Sequence, residues 1–407
     1  MVLRNPFRPG AGHQPPYLAG RTAETREFRR LLDQHVILEN LVLTGLRGVG
    51  KTVLLDTFKP LALEQGWIWV GTDLSESTSI SEDRMALRLI TDLAVMTSGL
   101  EIGRDTRQTI GFKGAPTIRS TRLDHDTLRA VLESTPGLSS DRLKRLLLLV
   151  AEVLAHTSHR GIIFAYDEAQ NLSDHAEKEQ FPLSLLLDVF QSIQKQGIPF
   201  MLALTGLPTL FPRLVEARTF AERMFHVVFL DRLSEADSRD AILKPIEDSR
   251  SPVTLEERSI DVIVKMSGGY PYFIQFICRE VYDAFTQGQT SIPVRAITQK
   301  LDTDFFAGRW ARATDRQRDL LAVIARLESA DLEFTVQEIT ETSRKVLERP
   351  FSPSHVSQML NALASAGLIY KNRHGKYSFA VPLMNRFILR QIGEDPAQQT
   401  LPFDQMT

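Results

Sequence analysis

The chain has 407 residues, enough for two or three domains, and with 43% hydrophobic and 24% charged residues its composition is that of an ordinary globular protein. Its formal net charge of −2 gives no overall attraction to nucleic acid, so any such surface must be local. The single cysteine, Cys278, excludes internal disulfides and cysteine-cluster metal sites. Neither a signal-peptide core nor an apolar run of membrane-spanning length is visible, so we expect a soluble, cytoplasmic protein without membrane association.

The N-terminal region precedes the first regular pattern. Residues 1–17 are rich in proline and glycine and are expected to be extended, without regular structure. Helical spacing then places Phe28, Leu31 and Leu32 on one face. We therefore expect an amphipathic helix at the start of the first domain, which we place at residues 18–232.

A glycine-rich stretch then follows a short apolar run. Residues 41–43 are typical of a buried parallel strand, and residues 45–52 read Gly-Leu-Arg-Gly-Val-Gly-Lys-Thr, which fits G-x-x-x-x-G-K-[ST] at every fixed position. Apolar residues at helical spacing come next, from Val53 to Phe58. Strand, glycine loop and helix in this order predict a phosphate-binding loop, although a glycine-rich turn without a ligand has the same local pattern.

The chemistry of phosphate binding explains these residue types. Glycines let the backbone curl so that its N–H groups point at phosphate oxygens, and the start of the helix adds its positive end. Lys51 can reach the β- and γ-phosphates of ATP, and the hydroxyl of Thr52 can hold Mg²⁺. The residues of this stretch that are predicted to bind ATP are Gly45, Leu46, Arg47, Gly48, Val49, Gly50, Lys51, Thr52 and Val53.

The pattern breaks between residues 99 and 125, after a second predicted strand at residues 67–70. Glycine and proline interrupt this insertion, and no periodicity is left. Between residues 104 and 122 it has five basic residues against Asp105 alone, namely Arg104, Arg107, Lys113, Arg119 and Arg122. A solvated, mobile insertion and a nucleic-acid contact both fit this charge.

The second half of the nucleotide site is expected at the end of another apolar run. Residues 162–166 are uncharged and typical of a buried strand, which delivers Asp167 and Glu168 at its carboxyl end. Asp167 would orient Mg²⁺ through the metal's water shell, and Glu168 would position or deprotonate the attacking water. Carboxylates often end strands, so this pattern indicates a site only in combination with the phosphate loop.

Two further apolar runs, at residues 199–206 and 225–230, complete the predicted core. Thr205, at the end of the first run, is placed to hydrogen-bond the γ-phosphate or the attacking water, or else it caps a turn. Five strands alternating with helices predict an α/β fold with a doubly wound parallel sheet, whose ligand lies at the carboxyl ends of the strands. With the glycine loop, they predict the five-stranded core of a P-loop NTPase.

The rest of the chain is predicted to be mostly helical. Residues 233–305 contain no candidate for a central strand and are expected to form an α-helical lid, in which Pro271 suits the first turn of a helix. Residues 306–392 combine three predicted helices with two strands joined by a turn at residues 373–376, which is typical of a winged-helix domain. The tail at residues 393–407 is expected to be disordered.

The predicted winged helix offers a small basic surface. Lys371, Arg373 and Lys376 on the wing suit contacts with DNA phosphates. The predicted recognition helix, which starts near Ser354, carries polar residues but no arginine or lysine. Winged helices also dock proteins, so duplex DNA and a protein partner both stay open.

In this combination of motifs the chain resembles the AAA+ superfamily, in the branch near archaeal-type and origin-initiator ATPases, transposition ATPases and STAND signalling ATPases. Residues 45–52 and the Asp-Glu pair at 167–168 match the two Walker motifs, and Asp-Glu-Ala-Gln at 167–170 is similar to the form found in transposition ATPases. Thr205 falls at the sensor-1 position. The resemblance implies hydrolysis of ATP to ADP and phosphate.

The same resemblance implies roles for residues outside the Walker motifs. Gly20 and Arg21 belong to a Leu-Ala-Gly-Arg box that is similar to the one packing beside adenine. Pro271, in Gly-Tyr-Pro, is similar to the lid proline that contacts the base, and many members have a sensor-2 arginine here instead. Arg223 resembles the arginine finger that reaches a neighbouring subunit's γ-phosphate, with Arg218 as the fallback and a surface salt bridge as a third interpretation.

The lid pattern implies a switch rather than a steadily cycling motor. The catalytic residues of the implied ATPase would be Lys51, Glu168, Thr205 and Arg223. We expect an ATP-dependent switch that self-associates and assembles on DNA in replication, transposition or defence against mobile elements. The alternative is a regulatory ATPase whose winged helix docks a protein partner.

Overall fold

The computed structural model describes residues 4–10, 12–99, 101–107, 117–251, 253–373 and 375–394. The chain falls into two compact units. The core unit comprises residues 21–45 and 51–230, and the lid unit comprises residues 1–20, 46–50 and 231–407. Most of the glycine loop therefore belongs to the lid unit.

The core unit alternates helices with strands along the chain. Its helices are α1 (Thr22–Leu32), α2 (Lys51–Glu64), α3 (Glu82–Thr97), α4 (His125–Ser134), α5 (Ser139–Leu154), α6 (Pro182–Gln194), α7 (Leu210–Ala217) and α8 (Ala221–Met224). Its strands are β1 (Asn40–Gly45), β2 (Trp67–Val70), β3 (Glu101–Arg107), β4 (Thr117–Arg122), β5 (Gly161–Tyr166), β6 (Phe200–Gly206) and β7 (Phe225–Leu230). Short 3₁₀ helices lie at Thr78–Ile80, Ala169–Asn171 and Ala176–Lys178.

Five of these strands form one parallel sheet in the order β2-β5-β6-β1-β7. Every residue of β1, β2, β5 and β6 is buried, as expected for apolar strands covered on both faces. The five core strands and the α/β class predicted from the sequence are confirmed. Because β5, β6 and β1 are neighbours, the residues that follow their carboxyl ends lie side by side.

A buried asparagine secures the start of the central strand. Asn40 donates from Nδ2 to the carbonyl oxygen of Met224 (3.1 Å) and accepts at Oδ1 from the backbone N–H of Leu202 (2.8 Å). The side chain of Gln194 completes this network by donating to Asn40 Oδ1 (2.8 Å). Such a network is stabilising only when every buried polar group is paired. Here it connects β1 to elements more than 150 residues away in the sequence.

The insertion at residues 99–125 contains regular structure that the sequence did not predict. Strands β3 and β4 pair antiparallel, with Arg104 opposite Ser120 and Asp105 opposite Arg119. The glycines of this stretch conceal the strand pattern, because they break the alternation on which strand prediction depends. Lys113 lies outside the described residues.

The lid unit is mainly helical. Its helices are α9 (Glu235–Asp248), α10 (Glu257–Ser267), α11 (Pro271–Thr286), α12 (Val294–Leu301), α13 (Gly308–Trp310), α14 (Asp315–Ala325), α15 (Val336–Val346), α16 (Pro353–Ser365) and α17 (Met384–Gln391), with a π-helical turn at Asp302–Ala307. Its strands are β8 (Phe334–Thr335), β9 (Ile369–Arg373) and β10 (Lys376–Phe379). The helical lid is as predicted.

The N-terminal segment contains no helix or strand over residues 4–10 and 12–17, as predicted, but it is firmly attached to α11. Asn5 Nδ2 donates to the carbonyl oxygen of Arg279 (2.9 Å) and to Asp283 Oδ1 (2.8 Å). Phe7 is buried, with 3% of its surface exposed. These contacts explain how a segment without regular structure holds one conformation.

The C-terminal part has the arrangement expected of a winged helix. Helices α14, α15 and α16 precede an antiparallel hairpin of β9 and β10, and the short β8 adds a third strand next to β10. The sequence did not predict β8 or α17. Arg390 of α17 forms a paired contact with Asp302, with Nη2 to Oδ1 at 2.5 Å. Most of the tail predicted to be disordered, from residue 395 onward, lies outside the described residues.

Over the described ranges, no helix is both long and apolar enough to cross a membrane.

Candidate active site

The glycine loop has the backbone that a phosphate-binding loop needs. Gly48 and Gly50 have φ angles of 79° and 92°, in the left-handed region that favours glycine. Helix α2 begins at Lys51, directly after the loop in the chain, and the N-terminus of a helix carries partial positive charge. The side chain of Lys51 is buried, and its Nζ donates to the carbonyl oxygen of Gly45 (3.0 Å).

The centre of the site is the carboxylate of Asp167, which is only 4% exposed. Thr52 Oγ1 donates to Asp167 Oδ2 (2.5 Å), and the hydroxyl of Thr205 and the backbone N–H of Glu168 both donate to Oδ1, the latter at 2.7 Å. Leaving such a buried carboxylate without donors would cost several kcal/mol, on the order of 1–3 kcal/mol for each unmade bond. The structure therefore brings together three of the residues that the sequence predicted, from α2, β5 and β6.

This oxygen cluster fits Mg²⁺. The ion prefers hard oxygen ligands and usually takes only one or two from the protein, with waters and phosphates supplying the rest. Thr52 Oγ1 and Asp167 Oδ2 are close enough to face one ion together. The described part of the chain holds no group of three or more His, Cys, Asp or Glu that could bind a metal by itself.

Additional negative charge lies beside this cluster. A cavity of about 230 Å³ in the core unit is lined by Thr52 and Asp167 together with Asp56, Lys59 and Asp73. Burial raises the pKa of Asp56, with the charges of Asp167 and, more weakly, Asp73 adding to the effect. Asp73 pairs through a β-bridge with Asp167.

Glu168 lies next to the cluster in an unusual backbone conformation. Its φ and ψ are 51° and 33°, in the left-handed region that non-glycine residues rarely adopt. Backbone strain of this kind concentrates at functional sites. Its side chain is half-buried and accepts a hydrogen bond from the amide of Gln170.

Thr205 is fully buried at the end of β6, and its hydroxyl donates to Asp167. This contact differs from both sequence interpretations, a ligand contact and a turn cap. Register explains it: Thr205 is opposite Leu43 of β1, and β5 pairs with the other side of β6. Side chains at the ends of these strands therefore meet.

The two candidate arginine fingers have different surroundings. Arg218 forms a two-point ion pair with Asp188, with Nε–Oδ1 and Nη2–Oδ2 both at 2.7 Å, and the hydrogen bond to Asp188 raises the pKa of Arg218. Arg223, in α8, is exposed, and its side chain has no hydrogen bond or ion pair with the residues that the structure describes. Of the two, Arg223 is the one available to another molecule.

The two residues of the predicted adenine box, Gly20 and Arg21, have different contacts. Gly20 has a φ of 62° and lies against Asp237 within the lid unit. Arg21, in the core unit, is 7% exposed and pairs with Glu24, with Nη1 to Oε1 at 3.1 Å. Its buried guanidinium holds the start of α1.

Within the lid unit, the Gly-Tyr-Pro segment leads into α11. Pro271 occupies the first turn of this helix, as predicted. The backbone N–H of Tyr272 donates to the carbonyl oxygen of Gly48 (3.1 Å), and a side chain on Gly48 would lie 3.1 Å from Tyr272 Cβ. The residue after the lid proline therefore contacts the glycine loop directly.

Two arginines near this contact, Arg309 and Arg312, were not predicted. The ring of Tyr272 lies 5.1 Å from that of Phe305, and the guanidinium of Arg309 lies 4.5 Å above the same phenylalanine ring. Burial lowers the pKa of Arg309, and the nearby charges of Arg47 and Arg312 lower it further. The only sequence signal was the basic spacing in Gly-Arg-Trp-Ala-Arg.

The predicted DNA contacts lie at the surface of the three-stranded sheet. Lys371 is exposed on β9, Lys376 is half-buried on β10, and Arg373 ends β9 opposite Lys376. The side chain of Arg373 is outside the described part.

The exposed face of α16 is polar but uncharged. Ser354, Gln358 and Asn361 are exposed at the spacing of one helix face. His355 is half-buried, with its ring 5.7 Å from that of Phe351. This face can form hydrogen bonds but provides no cation for phosphate.

Two family models match the chain. Residues 17–215 match the family described as AAA ATPase domain. This part of the chain is therefore an AAA ATPase domain. Residues 303–388 match a second family, described as Domain of unknown function (DUF8462). None of the curated proteins is similar enough in sequence to match this chain.

Solved structures resemble this protein over nearly its whole length. The Walker-type ATPase paby2304 of Pyrococcus abyssi matches with a TM-score of 0.58 and 15% identity, over 92% of this chain and 97% of that chain. The Aeropyrum pernix ORC2 protein, in its ADPNP-ADP complexes, matches with a TM-score of 0.54 and 13% identity, over 97% and 98% of the two chains. At these identities the likeness establishes a shared fold.

Proposed function

We propose that the protein is an AAA+ ATPase that acts as a Mg²⁺-dependent nucleotide switch, self-associates and binds duplex DNA through its winged helix. The observation that carries the proposal is the convergence of Thr52 and Thr205 on the buried carboxylate of Asp167, with Glu168 next to it. This arrangement provides oxygen ligands for a cation and, beside them, a carboxylate for water activation.

Each group in the proposed site has a defined task. Lys51 would exchange its bond to Gly45 for the β- and γ-phosphates, and the loop's N–H groups would hold the remaining phosphate oxygens. Mg²⁺, held through Thr52 and Asp167, would neutralise phosphate charge. Glu168 would accept the proton of the attacking water, and Thr205, whose hydroxyl donates to Asp167 in the structure, would turn to the γ-phosphate or that water.

The nucleotide would also contact residues that come before and after the glycine loop in the sequence. We assign Gly20 and Arg21 to the vicinity of the adenine, and Pro271 to contact with the base. The lid proline occupies the place of a sensor-2 arginine, which supports a switch that holds its nucleotide rather than a motor that cycles steadily.

Self-association is supported by the different states of the two arginines. Arg223 has no partner among the described side chains, whereas Arg218 is held by Asp188. A free guanidinium on the surface is suited to reach the γ-phosphate of ATP in a neighbouring subunit, where such a residue stabilises transition-state charge.

Two binding partners fit the winged helix. The exposed Lys371, with Arg373 and Lys376 on the same hairpin, supports contacts with DNA phosphates. The uncharged face of α16 favours the second candidate, a regulatory ATPase whose winged helix docks a protein. We favour duplex DNA because the basic residues cluster on the wing, where winged helices contact the backbone.

Anisotropy of a labelled duplex tests the proposal, measured at several salt concentrations with ATP and Mg²⁺ or with ADP. We expect affinity to fall steeply with salt, because phosphate neutralisation releases counterions, and to rise with ATP, because assembly links several wings on one duplex. The Glu168→Gln variant, which keeps ATP, should stay bound longer than wild type. A protein that ignores duplex DNA at low salt with ATP and Mg²⁺ would support protein docking instead.

A further inference from the structure

Gln170 uses both ends of its side-chain amide. Its Nε2 donates to the carboxylate of Glu168, and its Oε1 accepts from the backbone N–H of Leu207 (3.1 Å). These bonds permit only one orientation of the amide, because a flipped amide would place its oxygen against the carboxylate oxygen. The side chain therefore forms a link of defined direction between Glu168 and the turn that follows β6.

The turn after β6 leaves room for this amide at one position. Gly206 is the last residue of β6, and a Cβ atom added to it would lie 2.7 Å from Gln170 Oε1 and 2.8 Å from Leu210 Cδ2. Contacts this close do not occur in well-packed proteins, so any side chain at position 206 would displace the amide. The lack of a side chain at position 206 therefore lets the Gln170 amide and Leu210 keep these positions.

The backbone around Gln170 is also held from outside its own turn. Arg213 of α7 donates from Nη1 to the carbonyl oxygen of Gln170 (2.6 Å). Asn171 donates from Nδ2 to the carbonyl oxygen of Leu74 (2.8 Å). The amide therefore projects from a fixed backbone. Its position depends on the position of the turn after β6, which it contacts.

We propose that Gln170 is a positioning residue that makes the orientation of the Glu168 carboxylate depend on the turn at residues 205–207. The inference rests on the proposed role of Glu168 as the base. This turn begins with Thr205, which bonds Asp167 in the structure and would meet the γ-phosphate or the attacking water in the proposed site. A shift of Thr205 on nucleotide binding moves the N–H of Leu207, and Gln170 passes that shift to Glu168.

Steady-state kinetics of the full-length protein test the link. Gln170→Met keeps the length of the side chain but removes both hydrogen bonds. We expect kcat to fall by about tenfold or more, and by no more than in Glu168→Gln, while KM and the ATP affinity measured by calorimetry stay unchanged. Gly206→Ala should give the same split, because it displaces the amide without changing Gln170. Gln196→Met, at an exposed glutamine of the core unit, is the matched control.

The double variant Glu168→Gln/Gln170→Met separates positioning from a purely structural role. If Gln170 acts through Glu168, the double variant should be no slower than Glu168→Gln alone, whereas independent losses would multiply. The inference would be overturned if the two losses of kcat multiplied in the double variant. A folded Gln170→Met protein with the kcat of wild type would overturn it as well. Should Gln170→Met fail to fold, Gln170→Asn, which is too short to span both bonds, answers the same question. Wild-type turnover in Glu168→Gln would instead remove the base from the proposed function.

Discussion

The nucleotide end of the central sheet and the wing of the lid unit place their polar groups in opposite ways. At the sheet, Asp167, Thr205 and Lys51 are each at most 9% exposed. Thr205 donates a hydrogen bond to Asp167, and Lys51 donates one to the carbonyl oxygen of Gly45. On the wing, Lys371 is exposed to solvent and Lys376 is half-buried. The first region is a closed network, and the second is an array of side chains facing water.

The difference determines how each region responds to change. In the closed network every donor has a buried acceptor, so removing one partner leaves another unsatisfied, at about 1–3 kcal/mol. At the surface, charges are screened by salt and contribute singly and weakly to affinity. We therefore expect large effects that hardly depend on salt at the sheet, and small effects that depend strongly on salt at the wing.

The largest effect is expected for Lys51→Ala. It removes the main cationic partner of the phosphates, so productive ATP binding should be lost. Calorimetric titration with ATP and Mg²⁺ measures this, and Lys195→Ala, at an exposed lysine of the core unit, is the control. Unchanged ATP affinity in a folded Lys51→Ala protein would contradict the assignment of the phosphate loop.

Arg223→Ala should have the next largest effect, on turnover alone. If Arg223 acts on a neighbouring subunit, its loss should lower kcat by roughly a thousandfold or more and leave ATP binding intact. In wild type, activity per subunit should rise with protein concentration. Arg218→Ala is the matched comparison: it breaks an ion pair that is partly exposed, so we expect less than about 1 kcal/mol of lost stability and near-normal turnover. A reversal of the two phenotypes would make Arg218 the finger.

Glu168→Gln should separate binding from hydrolysis inside the closed network. The amide can still accept a hydrogen bond from Gln170 but cannot take a proton from water, so hydrolysis should slow by about a hundredfold while ATP affinity stays the same. Phosphate release under saturating ATP measures the rate. Weakened ATP binding would show that Glu168 supports the nucleotide rather than the water.

The smallest effect is expected at the wing. Replacing Lys371, Arg373 and Lys376 together by Ala removes up to three phosphate contacts, so the slope of log affinity against log salt should shrink by up to about 0.9 per contact. Affinity should fall by a similar factor for unrelated duplexes, because phosphate contacts carry no base information. An unchanged salt slope would move the DNA contact away from the wing, and a loss confined to one sequence would point to base readout by α16.

Two features of the core were foreseeable for local reasons. The phosphate loop combines an apolar strand, glycines that adopt positive φ and a helix start within a few residues, so its conformation is encoded in adjacent positions. The core strands are mainly apolar runs, and β1, β2, β5 and β6 are buried along their whole length, as such runs require. The same reasoning failed for β3 and β4, where glycines interrupt the pattern, and for the short strand β8.

The sequence by itself determined which residue types could bind phosphate and a cation: Lys51, Thr52, Asp167 and Glu168 follow from motif and strand end. Only the tertiary structure decided what these residues and their neighbours contact. Thr205 donates to Asp167 because β6 lies between β5 and β1. Arg218 is held by Asp188, 30 residues away, and Gln170 reaches Leu207, 37 residues away. Contacts of this kind join residues that share no local pattern, and their geometry exists only once the strands have taken their order in the sheet.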